Sequence, residues 1–416
     1  MACRLNKRVN GRVVSNQQVI NIAPPSINPS GKRNRLMNRN STLQHIGKAG
    51  LNESHIAVLR ELHRNGTATR VDLAAATGKS TQSLTRLSRE LIESGLIVEG
   101  ERRQKQRGQP AIFLSVKPGV LVSFGLVFEH DAITCIAKEL GGEQLVYLKK
   151  LGDFSNAATA IARANELLSS ALQQCAEHRY TLGVGVSVSG FFRFVPHRQL
   201  VCRHDIEGWQ QVDLTSFIHS AGDIPVFVEN DGRAAAIGQA VDGIAKKYDS
   251  FFQILMTKGV GGGFVRQGRL QSGHNANAGE FASLLNYTTD DGKRYFRPTT
   301  ECLIVFLQEH WGYTPSWQEV EQGLVDNDDF VMQWLDNVAA NITPGLNAVA
   351  ALLDPQSVVL AGRLPTGIRR ALAKKLSPEG VNFAGLKAPF PEIVAAPEQD
   401  CLAMGAVTLP VANTLY

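Results

Sequence analysis

With 416 residues, of which 44% are hydrophobic and 19% charged, the chain is too long for one small module and too apolar for a disordered protein, so two or three compact domains are expected. Its six cysteines are widely spaced and no apolar run could cross a bilayer, which argues against a disulfide framework, a Cys-x-x-Cys metal site and a membrane protein, and favours the cytoplasm. The net charge of +5 is uneven: residues 1–120 carry 20 basic and 7 acidic residues, and the remainder carries 23 basic and 31 acidic residues.

A basic segment on an acidic body is typical of a nucleic-acid-binding module attached to a domain with another task. Residues 1–50 contain nine basic residues, no acidic residue and little apolar surface, so they are predicted to be a disordered basic extension. The charge pattern and the elements below predict a DNA-binding domain over 51–117 and a second unit over 118–416.

Three short helices are predicted from Leu51 onwards, because apolar residues recur there at helical spacing. Ser80 is a predicted N-cap of the third helix, and Gly95 ends it. Two short strands follow, Leu96–Val98 and Ala111–Leu114, joined by a basic loop. Three helices and a basic hairpin predict a winged helix-turn-helix.

The third helix would lie in the major groove of DNA, and the loop would form a wing suited to a narrow minor groove. An ordinary solvated helix is the alternative interpretation, but the basic wing favours DNA binding. The candidate DNA-binding residues are Ser80, Thr81, Gln82, Ser83, Thr85, Arg86, Arg89, Arg102, Arg103, Lys105, Arg107 and Gln109.

Beyond residue 120, apolar runs alternate with helical patterns, which predicts an α/β fold of one or two domains. The predicted strands are Val120–Val127, Leu182–Val188, Val226–Val228, Phe251–Met256 and Val358–Leu360, and the clearest helices are Ala157–Glu177 and Asp329–Leu352.

Several stretches of this body, in order, resemble motifs of the ROK family of repressors and sugar kinases. The segment Pro225–Ala236 is similar to its PVxVENDxRAAA motif, Lys258–Gly263 to its second phosphate loop, Gly273–Phe281 to its GxNxxAGExGH sugar motif, and Val358–Gly362 to a strand and turn near the nucleotide. The end of the wing, Gly108–Pro110, is similar to the GRPA wing of the family repressors. The resemblance implies a two-lobed, actin-like or sugar-kinase-like (ribonuclease H-like) body.

The resemblance also implies a sugar site, with Gly190, Asn230, Asp231 and Glu280 as candidate ligand-binding residues. A carboxylate beside an amide suits sugar hydroxyls, which both donate and accept hydrogen bonds. Taken alone, Glu229–Asp231 would be interpreted as an ordinary helix N-cap rather than as a sugar site. The family's context favours the sugar site.

Two family features are missing. The family kinases carry a DxGGT phosphate loop, but the matching stretch here has Val127, Glu129, His130 and Asp131 in place of its Asp, glycines and Thr, so no catalytic residue is assigned. The zinc-binding His and cysteines are also lost: Ser283 stands at the His position, and the following segment, Tyr287–Leu303, holds only Cys302. Neither a metal nor a cofactor is expected, and the Gly261–Gly263 run is interpreted as a remnant that makes a tight turn.

These observations favour a DNA-binding repressor that is controlled by a sugar or sugar derivative, binds a double-stranded operator as a homodimer or homotetramer, and lacks kinase activity. An active ROK-type sugar kinase with a DNA-binding head is the main alternative. A regulator whose body binds another protein is the third possibility.

Overall fold

The computed structural model describes most of the chain beyond residue 50. The described residues are 51–103, 111–178, 180–194, 198–202, 207–285, 296–376, 382–383, 386–387, 389–397 and 400–416, with backbone alone for 101–103, 194, 382–383 and 386–387. The predicted extension, 1–50, lies outside them. Among the helices of the described part, none combines the length and apolarity needed to cross a bilayer.

The N-terminal head is built from three capped helices and a three-stranded antiparallel sheet of order β1-β3-β2. Its elements are α1 (Glu53–Asn65), β1 (Thr67–Thr69), α2 (Arg70–Thr77), α3 (Thr81–Glu93), β2 (Ile97–Arg103) and β3 (Ala111–Val116). The side chains of Asn52, Thr69 and Ser80 cap the three helices in turn, so Ser80 is the N-cap that the sequence predicted. Leu84, Leu87 and Leu91 bury the inner face of α3.

The first lobe of the body is a five-stranded sheet of order β10-β7-β4-β5-β6, covered on one face by α4 (Ala157–Gln174). Its strands are β4 (Leu121–Phe128), β5 (Ala132–Glu139), β6 (Gln144–Leu151), β7 (Tyr180–Val188) and β10 (Val226–Asn230). The first three strands are antiparallel neighbours, and β7 and β10 join parallel to β4. A small hairpin, β8 (Phe191–Phe194) and β9 (Arg198–Val201), follows β7.

The second lobe repeats this arrangement with strand order β13-β12-β11-β14-β17. Its strands are β11 (Ser250–Met256), β12 (Val260–Arg266), β13 (Arg269–Leu270), β14 (Ser357–Gly362) and β17 (Glu392–Ala395), with a short ribbon of β15 (Asn382–Phe383) and β16 (Leu386–Lys387). Four helices share a core with one face of this sheet: α6 (Thr300–Trp311), α7 (Trp317–Val325), α8 (Asp329–Leu353) and α9 (Thr366–Lys375). The same sheet plan occurs twice, as in ribonuclease H-like two-lobed proteins.

Two helices, α5 (Asp231–Val241) and α10 (Cys401–Leu415), pack between the sheets through backbone contacts that only glycine permits. A Cβ on Gly185 would lie 1.9 Å from the carbonyl oxygen of Ala406, and one on Gly405 would lie 2.6 Å from the backbone of Ala234. The helix α10 therefore lies directly on the first sheet and against α5.

The head and the body share a hydrophobic core. Buried residues of the head, such as Leu62 and Leu114, belong to the same cluster as Val241 at the end of α5 and Leu415 at the end of α10. The Arg60 guanidinium donates to the Leu415 carbonyl oxygen. The head is thus anchored on the ends of the two central helices.

The predicted strands and helices of the body are all confirmed, with ends that differ by a few residues. The interpretation of Gly261–Gly263 as a tight turn is wrong, because these glycines lie within β12 and pair with Gln253–Leu255 of β11. They permit α5 to approach: a Cβ on Gly232 at the start of α5 would lie 2.5 Å from the Gly262 nitrogen.

We expect Gly185→Ala to lower the free energy of unfolding by about 1–3 kcal/mol or more, because the added methyl overlaps the Ala406 carbonyl of α10. Gly141→Ala is the matched control, since a Cβ there meets no atom within 4 Å. Urea unfolding followed by circular dichroism measures both. Equal stability of the two variants would contradict the proposed close contact between α10 and the sheet.

Candidate functional sites

The outer face of α3 carries the residues predicted to contact DNA. Thr81, Gln82, Thr85, Arg86 and Arg89 are exposed, Ser80 is exposed at the start of the helix, and Ser83 is partly exposed. Some of these groups are already engaged locally, since Ser80 caps the helix and Arg86 pairs with Glu90 at 3.1 Å. Thr81, Gln82 and Arg89 present a hydroxyl, an amide and a guanidinium on the exposed face.

Two polar contacts fix the position of α3 in the head. His55 of α1 lies 2.7 Å from a carboxylate oxygen of Glu90, and Arg70 of α2 donates to the buried Ser88 hydroxyl at 2.9 Å. Arg70 also pairs with Glu99 of β2 at 2.6 Å. Because β2 forms the base of the wing, this ion pair links the wing to α2 and α3. A helix held by buried leucines and these contacts is a rigid support for an exposed recognition face.

The base of the predicted wing is a β-hairpin. Arg102 and Arg103 pair through their backbones with Ile112 and Ala111 of β3, beyond a bulge that follows Glu99. Their side chains, and all of Lys105, Arg107 and Gln109, lie outside the described residues, so their predicted DNA contacts stay predictions.

The predicted ligand residues meet at the start of α5. Asn230 is buried, and its Oδ1 accepts from the backbone nitrogens of Gly232 and Arg233, so it is the helix N-cap considered as an alternative. Its Nδ2 donates to the Gly190 carbonyl oxygen at 2.7 Å, which brings the turn after β7 to the same point. Gly190 has φ 126° and a Cβ there would lie 2.6 Å from the Val201 carbonyl oxygen. Asn230 thus organises the site as well as starting the helix.

Asp231 is the carboxylate at the centre of this cluster. It accepts hydrogen bonds from the Gly232 nitrogen at 2.7 Å and from the Ser189 hydroxyl. Burial raises the pKa of Asp231 to about 6, and the nearby Glu280 carboxylate acts in the same direction. Burial also raises the pKa of Glu280. Two carboxyl groups with raised pKa values therefore face one site, which suits hydrogen bonding to polar hydroxyl groups.

Two arginines that sequence reasoning missed lie beside this cluster, and both are within ion-pair distance of Glu229. Arg233 is fully buried, and its Nε and Nη2 donate to Glu229 Oε1 at 2.9 and 2.7 Å. Arg198 of β9 lies over the Phe192 ring, 3.7 Å from its centroid. Arg233 belongs to the ENDxR motif, two residues after Asp231. Its place in this motif could have identified it as a site residue from the sequence alone.

Asn277 was also missed as an individual residue, although it lies within the Gly273–Phe281 motif. Its Oδ1 accepts from the Phe192 nitrogen and its Nδ2 donates to the Phe192 carbonyl oxygen, both at 2.7 Å. This pair of hydrogen bonds attaches the β8–β9 hairpin to the second lobe, with the Phe192 ring centroid 5.5 Å from the Arg233 guanidinium of α5. The motif therefore acts here through positioning of the hairpin.

The region that matches the phosphate loop connects the lobes through ion pairs. Glu129, after β4, accepts two hydrogen bonds from Arg363, after β14, at 2.8 and 2.5 Å. Asp131 pairs with Lys258 of the β11–β12 turn at 2.7 Å. The two carboxylates that stand in the stretch matching the phosphate loop are therefore paired with cations of the opposite lobe. Val127, at the position of the family's Asp, is buried.

The model for the ROK family matches residues 131–370, more than half of the chain. The chain belongs to the ROK family. A model for winged helix-turn-helix DNA-binding segments matches residues 51–98, the head of this ROK protein.

Curated relatives include the xylose repressor of Bacillus subtilis, which is 23% identical over 73% of this chain and 80% of the relative. An uncharacterized protein of Sinorhizobium fredii is 26% identical over 81% of this chain and 84% of the relative. The transcriptional dual regulator NagC of Escherichia coli is 24% identical over 55% of this chain and 56% of its own length.

Solved ROK structures share the fold. A ROK family transcriptional regulator described as a homologue of the E. coli MLC protein covers 92% of this chain and 98% of its own, with a TM-score of 0.64 and 18% identity. The ROK hexokinase of Thermus thermophilus covers 69% of this chain and 97% of its own, with a TM-score of 0.54 and 20% identity. The regulator's match thus extends over the head, and both confirm the predicted two-lobed fold.

The raised pKa of Asp231 predicts a pH-dependent stability. Between the ordinary pKa of 3.8 and the folded value of about 6, the folded chain holds a proton that the unfolded chain releases. Stability of the parent therefore falls as the pH rises through this window, whereas Asp231→Asn stays neutral. We expect the variant to gain stability relative to the parent as the pH rises from about 4 to 7.

Urea unfolding at four pH values across this window measures the difference. Asp223→Asn, on an exposed turn, is the control. A stability difference between parent and Asp231→Asn that does not change with pH would show that this carboxyl group is not the one that titrates.

Proposed function

We propose that the chain is a DNA-binding transcription regulator, acting as a repressor of sugar-metabolism genes, whose body binds a sugar or sugar derivative and does not transfer phosphate. The observation that carries the proposal is the combination of an exposed, polar recognition helix with a kinase-like body whose phosphate region is occupied by ion pairs between the lobes. The repressor names of the relatives for xylose and N-acetylglucosamine support it.

The proposed organisation is a basic extension over 1–50, a DNA-binding domain over 51–117 and a sensor over 118–416. Homodimers or homotetramers that place two heads on one duplex would suit a pseudo-palindromic operator. The proposed place of action is the cytoplasm, where such an operator would be accessible.

Communication between the two ends would pass through α5. This helix begins at the ligand residues Asn230 and Asp231 and ends at Asp242, whose carboxylate pairs with Lys138 at 2.7 Å and with His63 of the head at 3.5 Å. His63 also contacts the Tyr416 hydroxyl at 3.2 Å, beyond the end of α10. A ligand that shifts the start of α5 would therefore shift the support of the head, which is the coupling a regulator needs.

The interlobe ion pairs argue against the alternative of an active kinase. A nucleotide's phosphates would need cations and free backbone nitrogens, but Arg363 and Lys258 are already paired with Glu129 and Asp131. The Glu129 and Arg363 side chains are only 18% and 26% exposed, so breaking this pair in place would leave poorly hydrated charges.

The DNA-binding proposal is tested with a duplex from upstream of the chain's own gene. We expect Arg89→Ala to weaken binding to this duplex by about 1–3 kcal/mol. The slope of log affinity against log salt concentration should fall by the amount that corresponds to about one phosphate contact. The control is Arg163→Ala, which removes an exposed arginine of α4 from the body. Fluorescence anisotropy across a salt series measures both. Failure of the parent to bind duplex DNA at low salt, or an equal effect of both variants, would refute this role of α3.

For the absence of phosphoryl transfer, we expect no sugar-dependent consumption of ATP in a coupled assay over a panel of pentoses and hexoses. A family sugar kinase assayed in parallel verifies the assay. Turnover at rates of about 1–100 per second would establish the kinase alternative instead.

A further inference from the structure

Two guanidinium nitrogens in the proposed sugar site, Arg198 Nε and Arg233 Nη1, are buried and have no hydrogen-bond partner among the described residues. Arg233 is completely buried, and its Nε and Nη2 are both satisfied by Glu229. Its Nη1 is also buried, yet it donates to no group of the described residues, and Glu280 Oε1 lies 3.7 Å away, beyond hydrogen-bond distance. A buried charged donor left unsatisfied is costly, so the site favours a ligand atom that completes it.

The hydrogen-bonding groups of Arg233 and Glu280 determine which ligand atom would fit beside both of them. The Arg233 Nη1 group can only donate, whereas ionised Glu280 can only accept. The Glu280 side chain is 40% exposed and therefore accessible to a ligand from the cleft. A hydroxyl group fits both neighbours, because its oxygen accepts from Nη1 while its O–H donates to Glu280.

The charges around this point disfavour an anion. Three carboxyl groups, Glu229, Asp231 and Glu280, face two guanidinium groups, those of Arg198 and Arg233. A phosphate or carboxylate oxygen could accept from Nη1 but has no proton for Glu280 and would be repelled by it. The largely buried Arg363 guanidinium offers no free charge to an anion either, since it pairs with Glu129 of the opposite lobe.

We propose that the effector of this body is an uncharged sugar, one hydroxyl of which bridges Arg233 Nη1 and Glu280, and that the site discriminates against phosphorylated and acidic sugars. This inference rests on the proposed sugar-sensing function and adds the charge class of the ligand. Arg233 thereby becomes a ligand-binding residue in addition to its structural pairing with Glu229.

Isothermal titration calorimetry on the full chain tests the proposal with matched probes. These are xylose, glucose and N-acetylglucosamine, the phosphate esters of the latter two, and glucuronate. We expect at least one neutral sugar to bind, and to bind at least about tenfold more tightly than its charged counterpart, because like charges in a desolvated site repel strongly. A phosphate ester or glucuronate that binds as tightly as its neutral partner would overturn this inference and leave sugar sensing intact. Binding of none of the probes would instead refute sugar sensing itself, and this inference with it.

Because Arg233 is buried and its replacement could unfold the chain, Glu280→Gln is the variant of choice. We expect this variant to bind the neutral sugar more weakly than the parent does. The ratio of the Kd of the charged counterpart to the Kd of the neutral sugar should fall at least about threefold, since one repelling charge is removed. Glu143→Gln, on the exposed turn between β5 and β6, is the matched control. An unchanged neutral-to-charged ratio in Glu280→Gln would contradict the bridging hydroxyl, and a thermal unfolding curve confirms that the variant is folded.

Discussion

The close backbone approach of α5 and α10 to the two sheets is the constraint on which the rest of the structure depends. Gly185, Gly232 and Gly405 each stand where a side chain would overlap the backbone of a neighbouring element. Because the contacts are made by main-chain atoms, the two helices have little freedom to slide independently of the sheets. The first residues of α5 lie at the predicted ligand site, and the last residues of both helices support the head, so one packing arrangement serves both ends of the molecule.

Much of this fold could be predicted from the sequence. Apolar runs such as Phe251–Met256 indicate buried strands, and the leucines of α3 recur at helical spacing. The glycine run Gly261–Gly263 was misinterpreted because a run of glycines fits both a turn and a crowded strand, and only the position of α5 decides between them. The packing of α10 on the first sheet depends on contacts between residues more than 200 positions apart, such as Gly185 and Ala406, which periodicity does not encode.

The candidate site was predictable in part. Asn230, Asp231, Gly190 and Glu280 lie around the start of α5 or within reach of Arg233, as the family motifs implied. The motifs did not reveal that Glu129 and Asp131 have partners across the cleft, because Arg363 and Lys258 come from distant segments. Nor did they reveal the role of Asn277, whose side chain acts on the Phe192 backbone rather than on a motif residue.

The pair formed by Glu129 and Arg363 limits which substitutions these two positions tolerate. Each charge stabilises the other, so a glycine at 129 would leave a largely buried guanidinium unpaired, and removing Arg363 would leave the carboxylate unpaired. We therefore expect these two residues, 234 positions apart in the chain, to be exchanged together rather than singly.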